Sequence, residues 1–271
     1  MIPEASILIP VYNGAQYLRE CLESVFRGTG VLTCEIVVVD DGSTDETAII
    51  LKEFCTTYEN LIVITQANMG IEAALNNGLR KCRADIILRM DADDEMLPHR
   101  IQRQIQILTE SIELSWTSGA AYLMDSGGRT LAKSWAPNSK QILDSLESHN
   151  FIIHPTVAFR KSAVLAVGGY EKIKKFHEDI YLWKRLRNAG KQYFYSPEEM
   201  IRYRISASSI RLKNEQEAAR KLCRVLVYSG ARKEAVRQFR FLSVSYKIRI
   251  LIMILFPTNY WRRKMLRGAS S

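Results

Sequence analysis

Four short apolar runs alternate with amphipathic segments through the first ninety residues, and this alternation constrains the fold more than any other feature of the chain. Ser6 to Val11 (SILIPV), Cys34 to Val39 (CEIVVV), Leu61 to Ile64 (LIVI) and Asp85 to Met90 (DIILRM) are short, β-branched and nearly continuous in apolar side chains. Runs of that kind read as strands covered on both faces. Between them, Asn13 with Gln16 reads as the cap of a helix to about Phe26, and Ser43 with Glu46 as a capping box opening a helix to about Tyr58. Ile71 to Lys81 reads as a third helix. The series β-α-β-α-β-α-β predicts an α/β fold with a parallel, right-handed, doubly wound sheet flanked by helices.

The second half is less regular. Pro98 suits the first turn of a helix reaching about Leu108. Ser118 to Met124 and Thr130 to Trp135 flank the hairpin signal Asp125-Ser126-Gly127-Gly128. Ile152 to Arg160, Gln192 to Tyr195 and Met200 to Ile205 read as strands, and His177 to Ala189 as a helix stopped at Gly190. Helical patterns resume from Asn214 to about Ser229 and again from Ala231. With 271 residues, the chain divides best into one large domain, 1–212, and a C-terminal helical appendage, 213–271. The five cysteines are scattered without a C-x-x-C pair, which points to reduced thiols in a cytoplasmic protein and away from zinc. Met1-Ile2-Pro3-Glu4 begins no basic or long apolar stretch, so no signal peptide is expected.

Charge is unevenly placed. The chain carries a net +9, and after Glu234 it has no acidic residue while Arg237, Arg240, Lys247, Arg249, Arg262, Arg263, Lys264 and Arg267 are all basic. The apolar run Ile250 to Phe256 among them is far shorter than the ~20 residues that span a bilayer. With Tyr260 and Trp261 beside the bases, this tail suits an anionic membrane surface; a helix packed on the body is the plainer alternative. Nucleic acid is a poorer partner, because the bases are interleaved with aliphatics and lack a recognition motif.

Chemistry concentrates where the strands end. Asp91-Ala92-Asp93-Asp94 follows the fourth run directly, and strand alternation predicts Asp91 and Asp93 on one side with Asp94 pointing away. Two carboxylates at that end of an open α/β sheet stand where such folds bind ligands. Their repulsion is relieved by a cation, and Mg²⁺ or Mn²⁺ with substrate phosphates is the natural occupant. Asp40-Asp41-Gly42-Ser43 follows the second run in the same way, offering a carboxylate to a nucleobase or ribose. Neither G-x-G-x-x-G nor G-x-x-x-x-G-K-[ST] occurs, which disfavours hydride transfer and P-loop chemistry. Asp179, Leu182, Trp183 and Leu186 form one helical stripe, and a carboxylate opening a buried stripe is unusual.

In order and spacing, Ile9-Pro10-Val11-Tyr12-Asn13, Val39-Asp40-Asp41-Gly42-Ser43, Asn68-Met69-Gly70 and Arg89-Met90-Asp91-Ala92-Asp93-Asp94 closely resemble glycosyltransferase family 2. The likeness continues through His154-Pro155, Gly168-Gly169-Tyr170, Glu178-Asp179 and Tyr203-Arg204. It implies a GT-A fold with a mostly parallel sheet, and an inverting transferase that uses a nucleotide-sugar. On that likeness Pro10, Tyr12 and Asp40 would hold uracil or another base, within a nucleotide site that includes Asn13, Asn68, Gly70 and Ala92. Asp91 would meet the ribose or diphosphate, Asp93 would ligate Mg²⁺ or Mn²⁺, and Asp179 of the Glu178-Asp179 pair would be the general base. His154, Gly169, Tyr170 and Arg204 would lie towards the acceptor or diphosphate. For His154 a hydrogen-bonded structural role is the other reading, and for Gly168-Gly169 a glycine turn ending Lys161 to Val167. The sequence departs from the family pattern at Leu75, where many relatives carry Arg, and at Ser206, where many carry His.

The activity implied is transfer from a UDP-hexose or UDP-N-acetylhexosamine to a saccharide or lipid-linked acceptor. It belongs to cell-surface polysaccharide or lipopolysaccharide synthesis, peripheral to the cytoplasmic face of the membrane. The alternatives are a sugar nucleotidyltransferase, whose glycine-rich activation loop is missing, and a catalytically silent nucleotide-binding or membrane-scaffolding relative.

Overall fold

Strands β1 (Ala5–Val11), β2 (Cys34–Asp40), β3 (Leu61–Thr65) and β4 (Ile86–Arg89) pair in parallel in the order β3-β2-β1-β4. The structure is a computed structural model, and it describes residues 2–30, 32–134, 136–147, 150–172 and 178–205. The connecting helices are α1 (Ala15–Thr29), α2 (Thr47–Thr57) and α3 (Ile71–Lys81). Alternation along the strands sorts the core into two layers. Ile7, Ile9, Ile36 and Val38 pack with Leu18 and Leu22 of α1 and Phe54 of α2. Leu8, Val37, Val39 and Ile87 pack on the other face with Ala74, Leu75 and Leu79 of α3. Leu75, where relatives carry Arg, is thus a wholly buried core residue.

Neither of the two predicted helix caps forms. Asn13 donates its N–H to Ser43 Oγ at 2.9 Å and accepts from Thr44 N through Oδ1 at 2.8 Å. Asp45 Oδ2 accepts from Ala15 N at 3.0 Å and Asp45 Oδ1 from Thr47 N at 3.0 Å. Asp45 therefore serves the first turns of both helices, Asn13 ties the two loops together, and Ser43 is already spent on Asn13. Asn13 holds φ at 52°, a left-handed conformation that asparagine tolerates.

Beyond β4 the sheet stops being parallel. β5 (Glu95–Met96), unforeseen in the sequence, precedes α4 (Arg100–Glu110), and β6 (Leu114–Met124) and β7 (Thr130–Lys133) form the expected hairpin. α5 (Ser139–Asp144) and a 3₁₀ turn at His154–Thr156 lead to β8 (Ala158–Arg160), α6 (Lys161–Ala166), α7 (Glu178–Asn188) and β9 (Gln192–Arg204). β8 runs antiparallel to β4 and β6, and β9 lies parallel to β6 and antiparallel to β5. The predicted strand Ile152 to Arg160 is thus a strand only at its end, because Thr156 Oγ1 bonds Ile153 O at 2.7 Å and Pro155 lacks an N–H. The two strands predicted at Gln192 to Tyr195 and Met200 to Ile205 are one, broken by a bulge at Pro197–Glu198 that takes up the missing donor. Among the described residues no helix is long and apolar enough to cross a membrane. The helices expected beyond Asn214, the basic tail, the 212/213 boundary and Ser206 lie outside the described residues.

Candidate active site

The order β3-β2-β1-β4 brings the carboxyl ends of four parallel strands to one rim, level with Val11, Asp40 and Thr65. Pro10 is buried within β1, while Tyr12 just beyond it is 45% exposed. The adjacent carboxylates Asp40 and Asp41 are both buried but differently used. Asp41 Oδ1 accepts from Gln66 Nε2 at 2.7 Å and Met69 N at 2.9 Å, and Oδ2 from Gly70 N at 2.9 Å. It shapes the loop that carries Asn68 and Gly70. Gly42 makes room for that loop: with φ at 77°, a Cβ there would lie 2.9 Å from Asn68 N. Asp40 bonds Ser43 N through Oδ1 alone, at 2.9 Å, which leaves Oδ2 without a protein donor among the described residues.

The acidic segment after β4 is a turn, not a continued strand, since Asp94 N bonds Asp91 O at 3.4 Å. Alternation therefore ends at Arg89, and Asp94 does not point away. Oxygens of Asp91, Asp93 and Asp94 lie within 4.8 Å of one another. Burial, then Asp91, pushes the Asp93 carboxyl up to about 6, and burial, then Asp93 and Asp91, pushes Asp94 well above the carboxylate range. Among the described residues Asp94 Oδ2 is buried with no hydrogen-bond partner. Crowded hard oxygen donors with an orphaned atom fit a divalent cation.

Two arginines hold this turn. Arg89, at the end of β4, is 2% exposed and places Nη2 at 2.6 Å from Asp91 Oδ1, while its Nε and Nη1 find no partner among the described residues. Arg204, at the end of β9, donates its backbone N–H to Asp94 Oδ1 at 2.7 Å and Nε to Asp93 O at 2.8 Å. Its Nη2 pairs with Glu20 at 2.8 Å, and its guanidinium lies 4.1 Å from the Tyr17 ring centroid. Arg204 braces the acidic turn from beneath. Arg89 carried a legible signal, a charge inside a buried strand, that sequence reasoning did not use.

The second acidic pair opens α7, where Leu182, Trp183 and Leu186 are wholly buried and Trp183 stacks on Trp116 at 4.8 Å. Full burial of each side chain contributes about 2 kcal/mol, which fixes the helix start firmly. Burial, then Asp179, raises the Glu178 carboxyl, and Arg89 opposes. Asp179 Oδ2 accepts from Asn150 Nδ2 at 2.9 Å, a contact no sequence motif announced. Burial pushes the Tyr170 hydroxyl far up; Arg89 pulls it down, and Asp179, Glu178 and Asp91 push further. The one phenol therefore feels the charge of both acidic groups.

Tyr170 is itself clamped. Asn76 accepts from its N–H at 2.9 Å and donates to its carbonyl at 2.6 Å. Gly169, with φ at 70°, leaves no space for a side chain, since a Cβ would stand 2.6 Å from Asn76 Oδ1. Gly169 N bonds Val164 O at 2.9 Å, closing the end of α6 by a glycine turn. His154 hydrogen-bonds Tyr170 Oη at 3.0 Å and meets the Trp183 ring edge-on. It is buried in the core, and that burial, aided by Arg89, keeps it neutral far below its usual range.

Carboxylates gathered on the loops at one rim of an open α/β sheet stand where such folds bind ligands, and three of them, Asp91, Asp93 and Asp94, lie close enough together to hold a divalent cation. A family profile described as "Glycosyl transferase family 2" matches residues 6–168, more than half of the chain. The chain is 31% identical over 211 residues to the amylovoran biosynthesis glycosyltransferase AmsE of Erwinia amylovora, covering 76% of this chain and 77% of that one. It is 29% identical over 194 residues to the UDP-Gal:alpha-D-GlcNAc-diphosphoundecaprenol beta-1,3-galactosyltransferase of Escherichia coli, covering 69% of each. The mannosyltransferase PcManGT of Pyrobaculum calidifontis, solved with GDP-Man and Mn²⁺, shares the fold at a TM-score of 0.60 and 15% identity, covering 99% of this chain and 74% of that one. The chain belongs to glycosyl transferase family 2 and has the GT-A fold. It is a glycosyltransferase.

Proposed function

We propose that the enzyme transfers a hexosyl or N-acetylhexosaminyl group from a UDP-sugar to a saccharide or lipid-linked acceptor, with inversion, in building a cell-surface polysaccharide or lipopolysaccharide. The observation that carries this reading is the Asp91–Asp93–Asp94 carboxylate cluster just beyond β4, with a second acidic pair, Glu178 and Asp179, opening α7. An inverting transfer needs a neutralised leaving diphosphate and a base beside the acceptor hydroxyl. The names of the relatives, one a UDP-galactose transferase acting on a lipid diphosphate, favour the same donor and acceptor classes.

Asp40, with an unused Oδ2, would accept from the uracil N–H while Tyr12 covers the ring and the backbone near Pro10 lines its edge. Asn13, Asn68, Gly70 and Ala92 would complete the nucleotide wall, and Asp91 would accept from a ribose hydroxyl. Asp93, with Asp91 and Asp94, would hold Mg²⁺ or Mn²⁺, which when bound supplies positive charge for the departing diphosphate. Asp179 would take the acceptor proton, with Glu178 beside it at the start of α7. His154, Gly169 and Tyr170 would form the floor under the acceptor, and Arg204 would hold the acidic turn in register. The basic segment 213–271 would seat the enzyme on anionic lipid at the cytoplasmic membrane face, its charge being the support for that reading.

The test is a thermal-shift panel of UDP- and GDP-sugars with and without Mn²⁺, joined to the turnover of Asp179→Asn. A Mn²⁺-dependent shift with UDP-sugars is expected, and the variant should lose transfer while binding UDP normally. Near-normal turnover by Asp179→Asn would overturn the base assignment.

A further inference from the structure

We infer that Asn150 is a positioning residue that aims the Asp179 carboxylate and keeps it ionised. The inference deepens the proposed role of Asp179 as base and rests on that reading. Asn150 Nδ2 donates to Asp179 Oδ2 at 2.9 Å, and the orientation of its amide is fixed on the other side. There Oδ1 accepts from Ile152 N at 3.0 Å, which leaves the N–H₂ as the end that faces the carboxylate.

The segments bearing Asn150 are fastened to α7 at both ends. Glu147 pairs with Lys184 at 2.7 Å and Arg187 at 2.9 Å, and Arg187 Nη1 donates to Leu143 O at 3.2 Å. At the other end His154 sits edge-on to Trp183. Asn150 therefore meets the first turn of α7 from a position set by two independent anchors. Asp179 Oδ1 accepts from its own helix at Ile180 N, at 2.6 Å, so both carboxylate oxygens have a donor and the rotamer is held.

A donor bonded to a carboxylate favours the charged form, which a base must have before it can take a proton. Among the described residues, its neighbour Glu178 feels the charges of Asp179, Arg89 of β4 and Glu72 of α3, and Tyr170 after α6 feels those of Arg89, Asp179, Glu178 and Asp91. A carboxylate one residue away, Glu178, repels a second negative charge, and the amide offsets that repulsion without adding a cation that would compete for the acceptor.

The experiment labels the full-length protein with [¹³Cγ]aspartate, identifies the Asp179 resonance by its absence in Asp179→Asn, and titrates it. Asn150→Ala should move its midpoint up by about half to one pH unit, and Asn150→Asp further, since a second carboxylate replaces the donor. Mn²⁺-dependent hydrolysis of UDP-galactose should fall about tenfold in kcat with donor KM unchanged. Urea unfolding and UDP affinity confirm that each variant is folded. A midpoint unmoved in both variants would overturn the inference and leave Asn150 as a plain tie between loop and helix. If Asp179→Asn keeps its turnover while the Asn150 variants move the midpoint, the base reading fails and the electrostatic coupling stands.

Discussion

The guanidinium of Arg89 and the carboxylate of Asp91 meet at 2.6 Å in an ion pair with unequal partners, 2% and 28% exposed. Deleting the two should therefore have unequal effects. Asp91→Ala strips a buried guanidinium of its bonded counter-charge and should lower stability by about 3 kcal/mol. Arg89→Met removes the charge together with two nitrogens that have no partner among the described residues and keeps similar length in apolar atoms. Its loss should be nearer about 1 kcal/mol. Urea unfolding of both variants decides the matter; equal losses, or the reverse order, would contradict the assignment of Arg89 as buried and under-bonded.

Asp93→Asn should behave oppositely with and without cation. In chelator it relieves crowding among three carboxylates within 4.8 Å and should stabilise the protein by about 1 kcal/mol. With Mn²⁺ and UDP the variant should lose the ligand-induced rise in Tm. A variant that melts below the parent in chelator would show that repulsion is not what the turn stores.

Gly169→Ala should be among the more damaging single-methyl additions in the chain. The residue has φ at 70° and faces Asn76 Oδ1 at 2.6 Å, so the change strains the backbone and pushes on the amide that clamps Tyr170. A loss of about 2–3 kcal/mol is expected by thermal unfolding. Asn76→Ala in the same background should recover part of it, because the clash then has no partner.

Glu35 predicts an acid-range response at the opposite end of the sheet. It is buried, which alone would raise its carboxyl, but bonds from Ser6 Oγ at 2.5 Å and from Arg83 N and Nε at 2.5 and 2.6 Å hold it below the usual value. A depressed carboxyl gives stability above the unfolded pKa of about 4.3 and loses it as pH falls through the folded one. Between pH 5 and 3 the parent should therefore lose about 1 kcal/mol more than Glu35→Gln in denaturant titrations. Parallel curves would remove Glu35 from the account.

The parallel half of the sheet was legible because each of its strands is a continuous apolar run bounded by a helical pattern, and α3 begins and ends where its periodicity does. The antiparallel half was not. β5 is two residues long and exists only because Glu95 and Met96 meet Arg202 and Ile201, a pairing over a hundred residues that local pattern cannot show. The strand ends carrying Asp40 and Asp91 were legible for the same reason as the strands. The side of the sheet to which Asp94 turns was not, because a tight turn cancels the two-residue alternation. Asn150 had no signal at all, being one polar residue in a loop whose partner lies 29 positions onward.

The brace supplied by Arg204 has a bearing on how the enzyme comes into being. Its bonds to Asp93 and Asp94 join positions 111 and 110 apart, and β9 is the last strand described. During synthesis the early parallel units can collapse on themselves, yet the acidic turn stays unbraced until some two hundred residues have left the ribosome. A nascent or truncated chain would thus own the parallel strands while the acidic turn still lacked its brace, and the setting of that turn would wait on the last strand described.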